Sequence, residues 1–189
     1  YMGKIIHFDE LVSTNQWAHQ HLEELEDFDI VSCDIQSQGH GQFNRTWISS
    51  NKNGGNIYLS IILKPNNITH LAELTRFCAV IVAKTLETYG LKPTFKYPND
   101  VLVNNKKISG ILAESEFLGS HLKGVIVGVG INLNLEVEDL EKIDQSATSI
   151  YFETGKNVDK NEFMKLFLDN FTKEYNNFLI NGIKGEILC

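Results

Sequence analysis

Three polar segments of this chain hold the residue types that chemistry on an anion needs. The first, QSQGHGQFNRTWIS at 36–49, spaces Gly39 and Gly41 two apart and follows them with Arg45 and Trp47. Glycines let the backbone come close to a ligand that a Cβ would hold off, so GHG followed by an arginine can cradle a negative charge. The second, KYPND at 96–100 followed by KKISGILAE at 106–114, sets lysines on either side of a tight turn. Such lysines are ordinarily solvated, but Lys107 opens an alternating strand with apolar neighbours, which makes it a directed charge. The third, GVGINLN at 128–134, puts Gly128 and Gly130 inside an apolar strand, which marks either a bulge or a ligand lying against the backbone. Taken singly, each segment also fits a plain role as a surface loop, a braced turn or a bulge, and Trp47 fits a place in the core.

The elements that must position these segments alternate along the chain. Ser13-Thr14-Asn15-Gln16 resembles a capping box and predicts a helix over 13–25. A short strand is expected at 29–35 (DIVSCDI) and a buried, β-branched one at 56–63 (NIYLSIIL). Apolar residues at helical spacing from Leu71 to Leu86 predict a helix over 69–89, with Gly90 placed to end it. Pro98-Asn99-Asp100 and Asn104-Asn105 are turn chemistry, and strands at 106–116 and 124–135 are joined through Gly119-Ser120. Asp159 and Glu162 cap a last helix whose Phe163, Leu166, Phe167, Phe171, Tyr175 and Phe178 share a face, closed by Gly182. Hairpins with helices at intervals predict an α+β fold with a mixed, mainly antiparallel sheet and packed helices, not a doubly wound one. A Rossmann reading of GVGIN fails because the glycines open no helix.

Composition bounds the function. With 189 residues, 42% of them hydrophobic, the chain can bury one sizeable core and reads as a single domain over 1–189. A net charge of −7 argues against broad nucleic-acid binding, which needs a dense basic face. Cys33, Cys78 and Cys189 form neither a metal-type pair nor a disulfide framework, so a reducing cytoplasmic setting is expected. No run is long and apolar enough to span a membrane, and YMGKIIHFDE lacks the apolar core of a signal peptide. The Tyr1-Met2 order reads as Met2 being the natural start, with nothing natural before it.

DELVSTNQWA at 9–18, the 36–49 loop, GGNIYLSIIL at 54–63, KYPNDVLVNNKKISGILAE at 96–114 and GVGINLN, in that order, resemble the catalytic domain of the biotin protein ligases, the biotin–[acetyl-CoA-carboxylase] ligase family. The resemblance implies the biotin/lipoate ligase catalytic fold, which is like that of class II aminoacyl-tRNA synthetases. It implies activation of biotin with MgATP to biotinyl-5′-AMP, then transfer to one lysine of a biotin carboxyl carrier domain. By the same resemblance Lys107 is the catalytic lysine, with Lys96 on phosphate or pyrophosphate and Arg45 on the nucleotide side of the loop. Biotin is expected against Ser13, Thr14, Asn15, Gln36, Gly39, His40, Gly41, Gln42, Gly110, Gly128 and Gly130, besides Lys107. Trp47, Asn99 and Asn132 fall to ATP, and Asp100 to orienting a lysine or bracing the turn. Mg2+ enters with ATP, and no metal site built by the protein is expected. Neither nucleic acid nor a membrane is an expected partner, and the molecule is expected as a monomer or homodimer.

The resemblance has edges. The winged-helix domain that repressing members carry ahead of this segment is expected to be absent, and the SH3-like C-terminal domain of most members is expected to be absent or truncated. The family loop reads G-R-G-R where this chain has His40 and Gln42, so the loop is expected to order over biotinyl-AMP yet hold it roughly tenfold more loosely. Two other readings share the motifs: a non-catalytic biotin sensor and a lipoate or octanoate ligase.

Overall fold

Strand β5 (Asn56–Leu63) is buried along all eight of its residues, as a β-branched and aliphatic run between two packed layers must be. The computed structural model describes residues 3–40, 46–47 and 54–183. Among these, β5 lies inside a seven-stranded sheet with β1 (Ile5–Leu11), β2 (Ile30–Gln36), β6 (Pro93–Lys96), β7 (Asp100–Val103), β8 (Lys106–Leu118) and β9 (His121–Asn132). The order is β1-β2-β5-β9-β8-β7-β6, with β1 and β2 parallel and every other pair antiparallel. This is the mixed, mainly antiparallel sheet expected from the hairpins. Strand β1 was not foreseen, because it is a partly exposed edge strand with polar residues among its apolar ones.

Alternation along the strands divides the molecule. Ile57, Leu59 and Ile61 of β5 and Val125, Val127, Val129 and Ile131 of β9 point into the main core with α2 (Leu74–Glu87) and α5 (Lys160–Asn181). Ile62 and Ile126 point the other way, to a small core under α1 (Thr14–Gln20) with Ala18, Leu22 and Leu25. The second face is otherwise left for polar work.

Local chemistry sets the helix ends. Ser13 caps α1 by accepting from the Gln16 N–H, but the helix stops at Gln20 rather than near residue 25. His21 stops it: its Nδ1 bonds the Trp17 carbonyl at 2.8 Å and its ring stacks on Trp17 at 3.9 Å. Leu22 and Leu25 continue inward as a turn, which is why the apolar pattern outruns the helix. The predicted 69–89 helix begins as a 3-10 turn at Leu71–Glu73 and ends before Gly90, whose φ is +80°. In α5, Asp159 caps the Asn161 and Glu162 N–H groups, and five of the six expected face residues are buried; Leu168 takes the inward place expected of Leu166. Phe178 stacks on Phe77 of α2 at 4.3 Å. Asn104 and Asn105 both have positive φ, 50° and 62°, the backbone that a two-residue turn from β7 to β8 requires. Cys33 and Cys78 are buried free thiols, and burial pushes Cys33 up to about 12, so neither is a ready nucleophile. No helix of the described residues is long and apolar enough to cross a membrane.

Candidate active site

Lys107 reaches the polar face through a break in register. Asp100 and Val101 of β7 pair with Gly110 and Ser109 of β8, whereas Leu102 pairs with Lys107, so Ile108 is an extra residue. One inserted residue reverses the facing of everything beyond it. Ile108 and Ser109 are therefore consecutive buried residues, and Lys107 turns to the same face as Asp100. Its Nζ lies 2.8 Å from Asp100 Oδ1, with the two side chains only 14% and 12% exposed. The lysine's backbone is held from the side as well. Its N–H donates to the Ser146 carbonyl at 2.9 Å, and its carbonyl accepts from the Thr148 N–H at 2.8 Å. The result is a fixed, largely dehydrated ammonium beside one carboxylate.

On the same face the start of α1 makes a polar cluster. The Thr14 N–H donates to Gln36 Oε1 at 2.8 Å, and the Thr14 hydroxyl lies 3.2 Å from the same oxygen. The Asn15 amide donates to Glu114 Oε2 at 2.6 Å and to the Leu112 carbonyl at 3.3 Å. Ser60 of β5 brings its hydroxyl within 2.6 Å of Asn15 Oδ1 and 2.8 Å of Thr14 Oγ1. Ser13, Thr14, Asn15 and Ser60 are all buried. Gly128 makes room for this, since a Cβ there would stand 2.4 Å from Asn15 Oδ1. The third sequence segment is thus a close approach and not a bulge: β9 pairs through Gly128 and Gly130 without a shift on either side. Gly110 pairs with Gly130 and lies between the cluster and Lys107.

Other expected residues fall nearby, each held differently. Asn99 clamps its turn to β8, donating its amide to the Ile111 carbonyl at 2.9 Å and accepting the Ile111 N–H at 3.0 Å. Asn132 is 2% exposed, and its amide is turned inward, to the Thr148 carbonyl at 2.9 Å and the Asn56 amide at 2.8 Å. It joins β5 and β9 to the segment that holds Lys107. Lys96 is exposed at the end of β6, its backbone paired with Asp100. Gly39–His40 (β3) pairs with Thr46–Trp47 (β4), Gly39 opposite Trp47. Gly41, Gln42 and Arg45 lie outside the described residues, as do the side chains of His40 and Trp47. The expectation that the 36–50 loop closes on ligand lies mostly outside them too.

Ser60, Glu114 and the 146–148 segment were not singled out as site residues in the sequence. Ser60 reads as one polar residue in a buried strand, and Glu114 as the polar end of a strand pattern. Only the pairing of β5, β8 and β9 brings them to Asn15.

The chain belongs to the Biotin/lipoate A/B protein ligase family, whose model matches residues 6–132. It is 32% identical over 186 residues to the bifunctional ligase/repressor BirA of Bacillus subtilis, a match covering 96% of this chain and 57% of that protein. It is 32% identical over 145 residues to the biotin–[acetyl-CoA-carboxylase] ligase of Paracoccus denitrificans, covering 73% of this chain and 59% of that one. The chain therefore spans a little under three-fifths of the length of these relatives. Among solved structures, the biotin protein ligase of Aquifex aeolicus in complex with biotin and ATP superposes with a TM-score of 0.81 at 30% identity, covering 97% of this chain and 76% of that one. The biotin protein ligase of Leishmania major with biotinyl-5-AMP shares the fold at a TM-score of 0.75 and 20% identity.

Proposed function

We propose that this chain activates biotin with MgATP to biotinyl-5′-AMP and passes the biotinyl group to a lysine of a carrier domain of the acetyl-CoA carboxylase type, in the cytoplasm. In the first step a biotin carboxylate oxygen bonds to the α-phosphorus and the α–β bridging bond breaks, releasing pyrophosphate. In the second, the carrier's lysine amine attacks the acyl carbon, AMP leaves with the bonding electrons, and the amine loses its proton.

The observation that carries this reading is the placement of Lys107. Two anions repel as the first step begins, and the transition state spreads negative charge over phosphoryl oxygens, so a fixed cation in a dehydrated site lowers the barrier. Lysine is suited to it as a compact charge that can follow the phosphate. The Lys107–Asp100 pair, 2.8 Å apart and mostly buried, supports such preorganisation. Asp100 in this reading orients the lysine. Lys96 on β6 and Arg45 on the loop are proposed for the polyphosphate, and Trp47 for adenine. Mg2+ belongs to the ATP substrate as its counter-ion. The polar start of α1 and Gln36 receive the ureido head, and Gly110 and Gly130 leave the strand surface open beneath the acyl chain.

The test is incubation with MgATP, biotin and a biotin carrier domain, with octanoate and lipoate as competitors. Biotin on the carrier lysine, undiminished by either fatty acid at a concentration equal to that of biotin, is the expected result. Binding of biotin without pyrophosphate release would replace the enzyme reading with a sensor.

A further inference from the structure

We propose that Glu114 is a positioning residue that fixes which way the Asn15 amide points, and so makes the site select a cyclic urea over a plain alkyl acid. The inference rests on the biotin-activating reading above and deepens it.

The argument is one of donors and acceptors. A carboxylate and a backbone carbonyl can only accept. Asn15 has one on each side of its nitrogen, Glu114 Oε2 at 2.6 Å and the Leu112 carbonyl at 3.3 Å, so both amide hydrogens are spent there. Its Oδ1 is then forced toward Ser60, whose hydroxyl lies 2.6 Å away. The single Ser60 hydrogen goes to Asn15 Oδ1 or to Thr14 Oγ1, 2.8 Å off, and Asn15 has no other hydroxyl donor among these contacts. Beyond Ser60, Thr14 holds Gln36 by its oxygen at 2.8 Å, leaving the Gln36 amide hydrogens as that side chain's remaining capacity. The two acceptors at one end thus set the direction of the Asn15 amide within a hydrogen-bonded cluster that spans β8, α1, β5 and β2, whose far end the Thr14 N–H fixes at Gln36.

Without the carboxylate the amide keeps only the longer contact, to the Leu112 carbonyl at 3.3 Å, so its reversal, and with it that of the Ser60 hydroxyl, costs less. A ligand with one carbonyl and two N–H groups in a ring senses that reversal; an alkyl chain does not. Sites built to hydrogen-bond a polar head gain their discrimination from such fixed partners.

Glu114 also stands 3.6 Å from His19 Nε2, and His19 Nδ1 stands 3.2 Å from Glu116. Glu116 therefore serves as a control that shares the histidine and does not touch Asn15. The test measures biotin-dependent pyrophosphate release, and octanoate as a competitive inhibitor, for the parent, Glu114→Ala, Glu114→Gln and Glu116→Ala. Glu114→Ala is expected to raise the KM for biotin tenfold or more with kcat within about threefold, and to leave the octanoate inhibition constant unchanged. Glu114→Gln, whose amide oxygen can still accept from Asn15, is expected to restore most of the KM, and Glu116→Ala to leave it at the parent value. An unchanged KM in Glu114→Ala overturns the proposal, as does weakening of biotin and octanoate alike. A parent that releases no pyrophosphate with biotin sinks the activity reading instead, and a direct biotin titration of the same variants then judges Glu114 by the same ratios.

Discussion

Lys107 and Asp100 depend on each other at the level of single side chains. Both are mostly buried, so removing the lysine takes its cation from the Asp100 carboxylate in a poorly hydrated place. Lys107→Gln alone is expected to cost about 1–3 kcal/mol in urea unfolding. Adding Asp100→Asn in the same chain is expected to recover most of that; no recovery would show that the pair is not coupled. Gly128→Ala makes a second prediction at this scale. The new methyl would meet Asn15 Oδ1 at 2.4 Å, and Asn15 is tied on its other side to Glu114. Biotin affinity is expected to fall about tenfold, a loss of about 1.4 kcal/mol. A biotin titration at parent affinity would mean that Asn15 can move without consequence. The sequence made Lys107 legible as a directed charge, and Gly128 as a bulge or a place where a ligand lies against the backbone. It could not choose between those two, because the choice depends on Asn15, 113 positions away in the chain.

Among the elements, β1, β2 and α5 meet at a charge cluster. Asp34 of β2 stands 2.7 Å from Lys160 of α5 and 3.3 Å from His7 of β1. Burial works against its ionisation, but Lys160 and then His7 outweigh that and hold the carboxyl below its usual range. A carboxyl easier to ionise in the folded chain stabilises the fold above the ordinary carboxylate range, and that stability is lost as pH falls through the lowered value. Asp34→Asn should therefore cost about 1 kcal/mol at pH 7 and close to nothing at the acid end, where the parent's carboxyl is also neutral. Urea unfolding of both chains at the two pH values checks this; a constant difference would assign the effect to packing. The helices were the more legible elements, since α2 and α5 carry their caps and apolar faces in local sequence. The α1 boundary was less so, because a stacking contact between His21 and Trp17 ends it. The register shift at Ile108 has no local signature at all, and it is what aims the lysine.

For the molecule as a whole, the open face of one sheet would bring a polar head group and an activated phosphate onto the same line of glycines. The α+β class and the mainly antiparallel sheet followed from hairpin spacing, while the proposed ligand came from the motifs taken together. The claim that Lys107 drives adenylation is tested most directly by rapid-quench single turnover with excess enzyme, biotin and MgATP, reading biotinyl-5′-AMP by mass spectrometry. The parent is expected to form it, and the folded Lys107→Gln/Asp100→Asn chain to form it at least a hundredfold more slowly, about 2.7 kcal/mol of barrier. Biotinyl-5′-AMP appearing at the parent rate in that variant would contradict the account.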